Sequence, residues 1–178
     1  MDVVALSGTV GAGKTTIAIE LGRRLDAWGY RAVAVDVDGV ARSAPPGPDD
    51  PFNEQLVVEH LRTMRRAWVE ADTDVLLLPR VVESVDQRDS YSEALGSPVR
   101  VVKVDAPAPT RRQRLLARHE PGPELEWHLA RTDELAAILD RLHIEDFAVR
   151  NDDGRLDAVA DEIVDRLGWT PLRGRSIL

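Results

Sequence analysis

Eight consecutive residues, Gly8-Thr9-Val10-Gly11-Ala12-Gly13-Lys14-Thr15, satisfy the pattern G-x-x-x-x-G-K-[ST]. Each residue type in it answers a need of phosphate chemistry. Glycines let a backbone turn its N–H groups around an anion, at dihedral angles that other residues resist. A lysine closing the loop places a compact charge on β- and γ-phosphates, and the hydroxyl after it can ligate Mg²⁺. Of the 23 basic residues only Lys14 and Lys103 are lysine, so a chain that otherwise uses arginine has kept a lysine here. A chance match has odds of roughly one in a thousand at this composition. The nucleotide-binding set read from the loop is Gly8, Val10, Gly11, Ala12, Gly13, Lys14, Thr15 and Thr16, with Lys14 also catalytic and Thr15 on the metal.

Three further groups could serve the same cleft. Asp36 and Asp38 close a second apolar run, where open parallel sheets place their ligands, and a spacing of two in extended chain puts both carboxylates on one side. Arg42 lies just beyond them and joins the acceptor set with Asp38. Arg80 directly follows a third strand. Arg111, Arg114 and Arg118 fall at helical spacing, offset from Leu115 and Leu116, and Arg111 and Arg114 could clamp a phosphoryl group in transit. Arg118 is assigned to the solvated face. The histidines His60, His119, His128 and His143 show no paired metal spacing and are read as structural. The tryptophans, Trp127 included, are read as core.

The elements that must position these residues alternate. Strands are expected at residues 2–6, 32–37, 75–78, 99–104 and 147–149, each a short apolar run of the kind buried on both faces of a parallel sheet. Helical patterns fill the gaps: one after the glycine loop closed by Gly29, one from an Asn53 cap to about residue 71, and one over 84–95 ended by Gly96. Others are 111–119 capped by Thr110, 124 to about 142 after the Pro121-Gly122-Pro123 break, and 156–167. The stretch 43–52 is a proline-rich loop. Five strands with long crossovers make an α/β fold with helices on both faces, as one domain over residues 1–170 with a loose tail at 171–178.

Composition narrows the class. The chain has 178 residues and no cysteine, which excludes disulfides, thiolate metal sites and a cysteine nucleophile. A net charge of −8 argues against nucleic acid or an anionic membrane as partner. No apolar run approaches a membrane span and no leader pattern precedes the first strand, so a cytoplasmic protein is expected, as monomer or homodimer. There is no N-K-x-D guanine motif, the length is short for a motor ATPase module, and the third strand ends Leu76-Leu77-Leu78-Pro79 without an acidic pair.

On these residues the chain resembles the nucleoside-monophosphate-kinase-like superfamily of P-loop small-molecule kinases. Val35-Asp36-Val37-Asp38 is similar to the D-x-D of shikimate kinases and to the DGDN segment of adenylylsulfate kinases. That likeness implies that Asp36 helps hold the metal's waters and that Asp38 binds the acceptor hydroxyl. Leu78-Pro79-Arg80 resembles the end of the G-F-P-R segment of adenylate kinases, which implies a phosphate contact for Arg80. Residues 151–154 resemble the loop along adenine, bringing in Asn151, and the arginine-rich stretch at 111–118 occupies the place of the lid. Leu76 stands where adenylate kinases carry an aspartate, and the triple-glycine segment of shikimate kinases is missing. The resemblance implies a five-stranded sheet in the order 2-3-1-4-5 with a short arginine-bearing lid. It also implies an ATP- and Mg²⁺-dependent kinase acting on a hydroxyl or phosphate of a small metabolite. The alternative is an ATP-binding regulator or slow ATPase without such an acceptor.

Overall fold

The computed structural model describes residues 1–41, 45, 47–152 and 154–172. Arg42 and part of the proline-rich loop therefore lie outside the described residues, as do Asp153 and residues 173–178.

Five strands form one parallel sheet: β1 (Asp2–Ser7), β2 (Ala32–Ala34), β3 (Val75–Leu78), β4 (Val99–Asp105) and β5 (Phe147–Arg150). Their spatial order is β2-β3-β1-β4-β5, as the sequence implied. The strands read as unbroken apolar runs because both faces are covered. Val4 and Leu6 of β1, with Leu77 of β3 and Val102 of β4, pack on one face against α1 (Lys14–Ala27) and α7 (Leu156–Leu167). Val3 and Ala5, with Leu76, Leu78 and Val101, pack on the other against α3 (Glu54–Glu70) and α4 (Val85–Leu95). Each such buried side chain contributes on the order of 1.5–3 kcal/mol. Two further helices, α5 (Ala108–Arg118) and α6 (Pro123–Leu142), make the crossover from β4 to β5, α6 running from the phosphate loop at Thr132 back to the start of β4 at Leu142.

The departures from the sequence reading have local causes. The second strand stops at Ala34, because Val37–Ala41 forms a short helix, α2. Asp36 Oδ1 accepts from the Gly39 amide at 3.2 Å, capping that turn. Asp36 and Asp38 are thus not two positions of one extended strand, although both are exposed around the buried Val37. Asn53 does precede α3, but with a left-handed φ of 51°, and the orphan amides of Glu54 and Gln55 donate to Asp50 at 2.7 and 3.0 Å. Helix α5 begins at Ala108, so Thr110 lies inside it rather than capping it. The chain beyond Pro171 is held at least to Leu172, whose amide donates to the Trp28 carbonyl at 2.9 Å. No helix among the described residues is long and apolar enough to cross a membrane.

Candidate functional site

The glycine loop leaves the end of β1 and enters α1 at Lys14. Gly8 has φ of 138°, and a Cβ there would fall on the Val104 carbonyl. Gly13 has φ of 98°, and its Cβ would overlap Asn151 Nδ2. Both positions are closed to any other residue, by backbone strain and by space. Gly13 has no side chain to cap α1, so the first amides of that helix have neither an intrahelical nor a capping partner. A helix N-terminus with free amides and a positive dipole end is an anion site. Thr15 and Thr16 are exposed beside it.

Lys14 folds back over this loop, and Nζ donates to the Gly8 and Thr9 carbonyls at 3.0 Å each. Burial lowers its ammonium from the ordinary 10.5 to about 8; Asp38 opposes the shift, while Arg118 and Arg80 add to it. The charges of both Asp38 and Arg80 therefore act on the lysine.

The far wall of the loop is braced from distant parts of the chain. Asn151, buried to 2% exposure, donates through Nδ2 to the Ala12 carbonyl at 2.8 Å. Arg114 donates through Nη1 to the Gly11 and Ala12 carbonyls at 3.2 Å and through Nη2 to the Asn151 carbonyl at 3.0 Å. On α6, Thr132 Oγ1 donates to the Val10 carbonyl at 2.7 Å. Arg111 is buried, with Nη1 on the Ala106 carbonyl at 3.0 Å. The face carrying Arg111, Arg114 and Arg118 is not offset from Leu115, which is buried on that same face, while Leu116 is exposed. Arg118 stays exposed and lines a groove of about 380 Å³ with Gly13, Thr16, Arg114, Asn151 and Leu156. Of the three arginines it is the one with a guanidinium in solvent beside that groove.

Across the loop lies a polar cluster at the ends of β2 and β3. Arg80, 6% exposed, spends its guanidinium in three directions. Nε donates to the Tyr91 hydroxyl at 2.7 Å, Nη1 pairs with Asp38, and Nη2 donates to Glu54 at 2.7 Å. These partners raise its pKa further above the ordinary range against the opposing effect of burial, and burial raises that of Tyr91. Glu54 Oε1 is buried with no partner among the described residues. Arg131, buried on α6, pairs with Glu83 and Glu134 and lies over the Phe52 ring at 4.6 Å.

Glu54, Arg131 and Thr132 were not picked out in the sequence, and no local motif marks them. The histidines converge more than their spacing indicated: among the described residues His119, Glu124 and His128 bring one ligand atom each within 4.8 Å of one another. Trp127 is 52% exposed rather than core.

The donor set suits a magnesium nucleotide. Cβ atoms at Gly8, Gly11 and Gly13 would collide with Val104, Arg111 and Asn151, so only glycine lets the loop lie this close to them, and the hydroxyl and carboxylate oxygens nearby are hard ligands of the kind Mg²⁺ takes.

A family model described as an AAA domain matches residues 3–142. The probable adenylyl-sulfate kinase of Archaeoglobus fulgidus is 36% identical over 69 residues. That match covers 36% of this chain and 44% of the archaeal protein, so it spans less than half of the relative's length. Among solved structures, the Mycobacterium tuberculosis APS kinase CysC, in complex with AMPPNP and APS, aligns with a TM-score of 0.65 at 22% identity. It covers 94% of this chain and 98% of the other. The Acinetobacter baumannii shikimate kinase in complex with shikimate aligns at 0.60 and 18% identity, covering 94% of each chain. Two of the three likenesses read from sequence, to adenylylsulfate and shikimate kinases, are thus met at the level of fold.

Proposed function

The chain belongs to the AAA domain family, and from that premise we propose that it transfers the γ-phosphoryl group of ATP to a small metabolite. The observation that carries this reading is the nearness of two unlike groups of residues. A phosphate loop with Lys14 stands on one side, and the Asp38–Arg80–Glu54 cluster, whose field reaches Lys14, stands on the other.

Lys14 and the α1 amides would hold the β- and γ-phosphates, with the base in the groove beside Asn151 and Arg118. Thr15 and Asp36 would hold Mg²⁺, whose chemistry there would be to neutralise phosphate charge. Asp38, its carboxylate aimed by Arg80, would accept the acceptor's proton as the new O–P bond forms and ADP leaves. The rest is positioning, since phosphoryl transfer asks little covalent help of the protein.

The same cluster favours a hydroxyl acceptor over a phosphate. Arg80 already donates to Asp38, Glu54 and Tyr91, so it has little left for an anion, and two carboxylates would repel one.

A second reading, an ATP-binding regulator or slow ATPase, is favoured by the third strand, which ends Leu76-Leu77-Leu78-Pro79 with no acidic residue. The AAA label of the family is compatible with it. ATP turnover measured with and without a pool of polyols, nucleosides and sugar derivatives separates the two. Strong stimulation by one acceptor supports the kinase; turnover indifferent to every acceptor supports the regulator. A thermal-shift screen with a non-hydrolysable ATP analogue would narrow the acceptor first.

A further inference from the structure

We propose that His119, Glu124 and His128 form a binding site for a borderline divalent transition-metal ion, Zn²⁺ in class, at the corner where α5 turns into α6. This site is separate from the phosphate loop and owes nothing to the proposed kinase activity.

The two histidines come from different elements. His119 is the C-cap of α5, and His128 follows Glu124 by one turn on α6, so Glu124 and His128 share a helix face. Pro121-Gly122-Pro123 between them sets the corner. His119 Nδ1 and His128 Nε2 both converge on the same oxygen, Glu124 Oε1, at 3.4 and 3.7 Å. Those separations are too long for hydrogen bonds of normal strength, which lie near 2.7–3.2 Å. They match something else. Ligand atoms about 2.0–2.1 Å from a tetrahedral Zn²⁺ stand roughly 3.3–3.4 Å from one another. The third separation, between the imidazoles, lies within 4.8 Å, and the rings face each other with centroids 4.3 Å apart. Two of the three separations thus approach the edges of a coordination tetrahedron, and the third closes as the imidazoles turn toward a shared ion.

The donor chemistry selects the metal. Two imidazole nitrogens and one carboxylate oxygen suit Zn²⁺, Cu²⁺, Ni²⁺ or Co²⁺, whereas Mg²⁺ and Ca²⁺ want all-oxygen sets. The imidazoles are mostly buried at 15% and 20% side-chain exposure, while Glu124 is 77% exposed. A fourth coordination position therefore opens on solvent. The ion would bridge α5 and α6, one of which braces the phosphate loop through Arg114 and the other through Thr132.

Calorimetric titration of the nucleotide-free protein with ZnCl₂, in a buffer that does not bind metal, tests the site. The expected result is saturable binding that His119→Gln, His128→Gln and Glu124→Gln each weaken by more than about 100-fold, since loss of a mere supporting group around a metal already costs 10–100-fold. His143→Gln, which removes an exposed histidine at the far end of α6, should leave it unchanged. Absence of saturable Zn²⁺ binding, or an affinity unaltered in His128→Gln, overturns the proposal. Should a variant fail to fold by circular dichroism, the wild-type protein loaded with Co²⁺ decides. Intense visible d–d bands of four-coordinate Co²⁺ support the site, and the weak spectrum of the hexa-aqua ion overturns it.

Discussion

Asp38 and Arg80 stand 42 residues apart in the chain and are ion-paired at the mouth of the sheet, with Asp38 half exposed and Arg80 almost wholly buried. The buried partner fixes the direction of the exposed one. Asp38→Asn preserves shape and removes the proton acceptor, so turnover should fall by about 10²–10⁴-fold with ATP affinity little changed. Asp36→Asn should instead weaken apparent Mg²⁺ affinity. Steady-state kinetics at varied Mg²⁺ checks the contrast. Equal loss of metal affinity in both variants, with a normal rate per bound complex, would place Asp38 on the metal and the acceptor elsewhere.

Two glycines separate shape from function. Gly13→Ala would force a side chain into left-handed backbone and into Asn151, so nucleotide binding should be lost by calorimetry. Gly22 lies inside α1 with nothing within 4 Å of an added Cβ. Gly22→Ala should therefore raise stability by about 0.5–1 kcal/mol in urea unfolding, with activity intact.

Lys14 gives a pH dependence with a definite sign. Burial holds its ammonium at about 8 in the free protein, and bound phosphates favour the charged form. Below about pH 7 the lysine is already protonated, and this group adds no pH dependence. Above pH 8 binding must take up a proton, so affinity should fall by up to about tenfold per pH unit. Calorimetry in buffers of different ionisation heat should find proton uptake near zero at about pH 6.5 and approaching one at about pH 9.5. Uptake of zero throughout would mean that no phosphate meets Lys14.

Arg114 and Arg118 should fail in different ways. Arg114→Ala removes donors from the Gly11, Ala12 and Asn151 carbonyls, and stability should drop by about 1–3 kcal/mol along with nucleotide affinity. Arg118→Ala, taken from an exposed side chain at the groove, should leave the denaturation midpoint in place and lower nucleotide affinity or turnover. A stability loss in Arg118→Ala of the size seen for Arg114→Ala would contradict this division.

What could be read from sequence was local in origin. The phosphate loop is contiguous, and the apolar runs of β1, β3 and β4 reflect burial on both faces, so loop and sheet were legible together. The pair Asp36 and Asp38 reads as the end of a strand because residues 32–37 form an apolar run broken only by Asp36. The Asp36 carboxylate on the Gly39 amide turns that segment into helix instead, and pattern alone does not register a cap. The spacing of Arg111, Arg114 and Arg118 was right, but their buried side is set by the glycine loop packed against α5, more than a hundred residues earlier. Glu54, Arg131 and Thr132 acquire their roles only through tertiary contact. His119, Glu124 and His128 straddle a proline-bounded corner, so no single helical period contains all three.

The hydrogen bond from Thr132 to Val10 makes the long helix α6 a latch on the phosphate loop. One such bond has a net worth of about 1 kcal/mol, which biases the latched arrangement roughly fivefold and no more. Beside the braces from Arg114 and Asn151, this one contact is weak enough for thermal motion to break and remake it. Reciprocity then governs both ends: whatever anion tightens the glycine loop in its latched form raises the occupancy of the latch by the factor with which the latch strengthens the anion's hold.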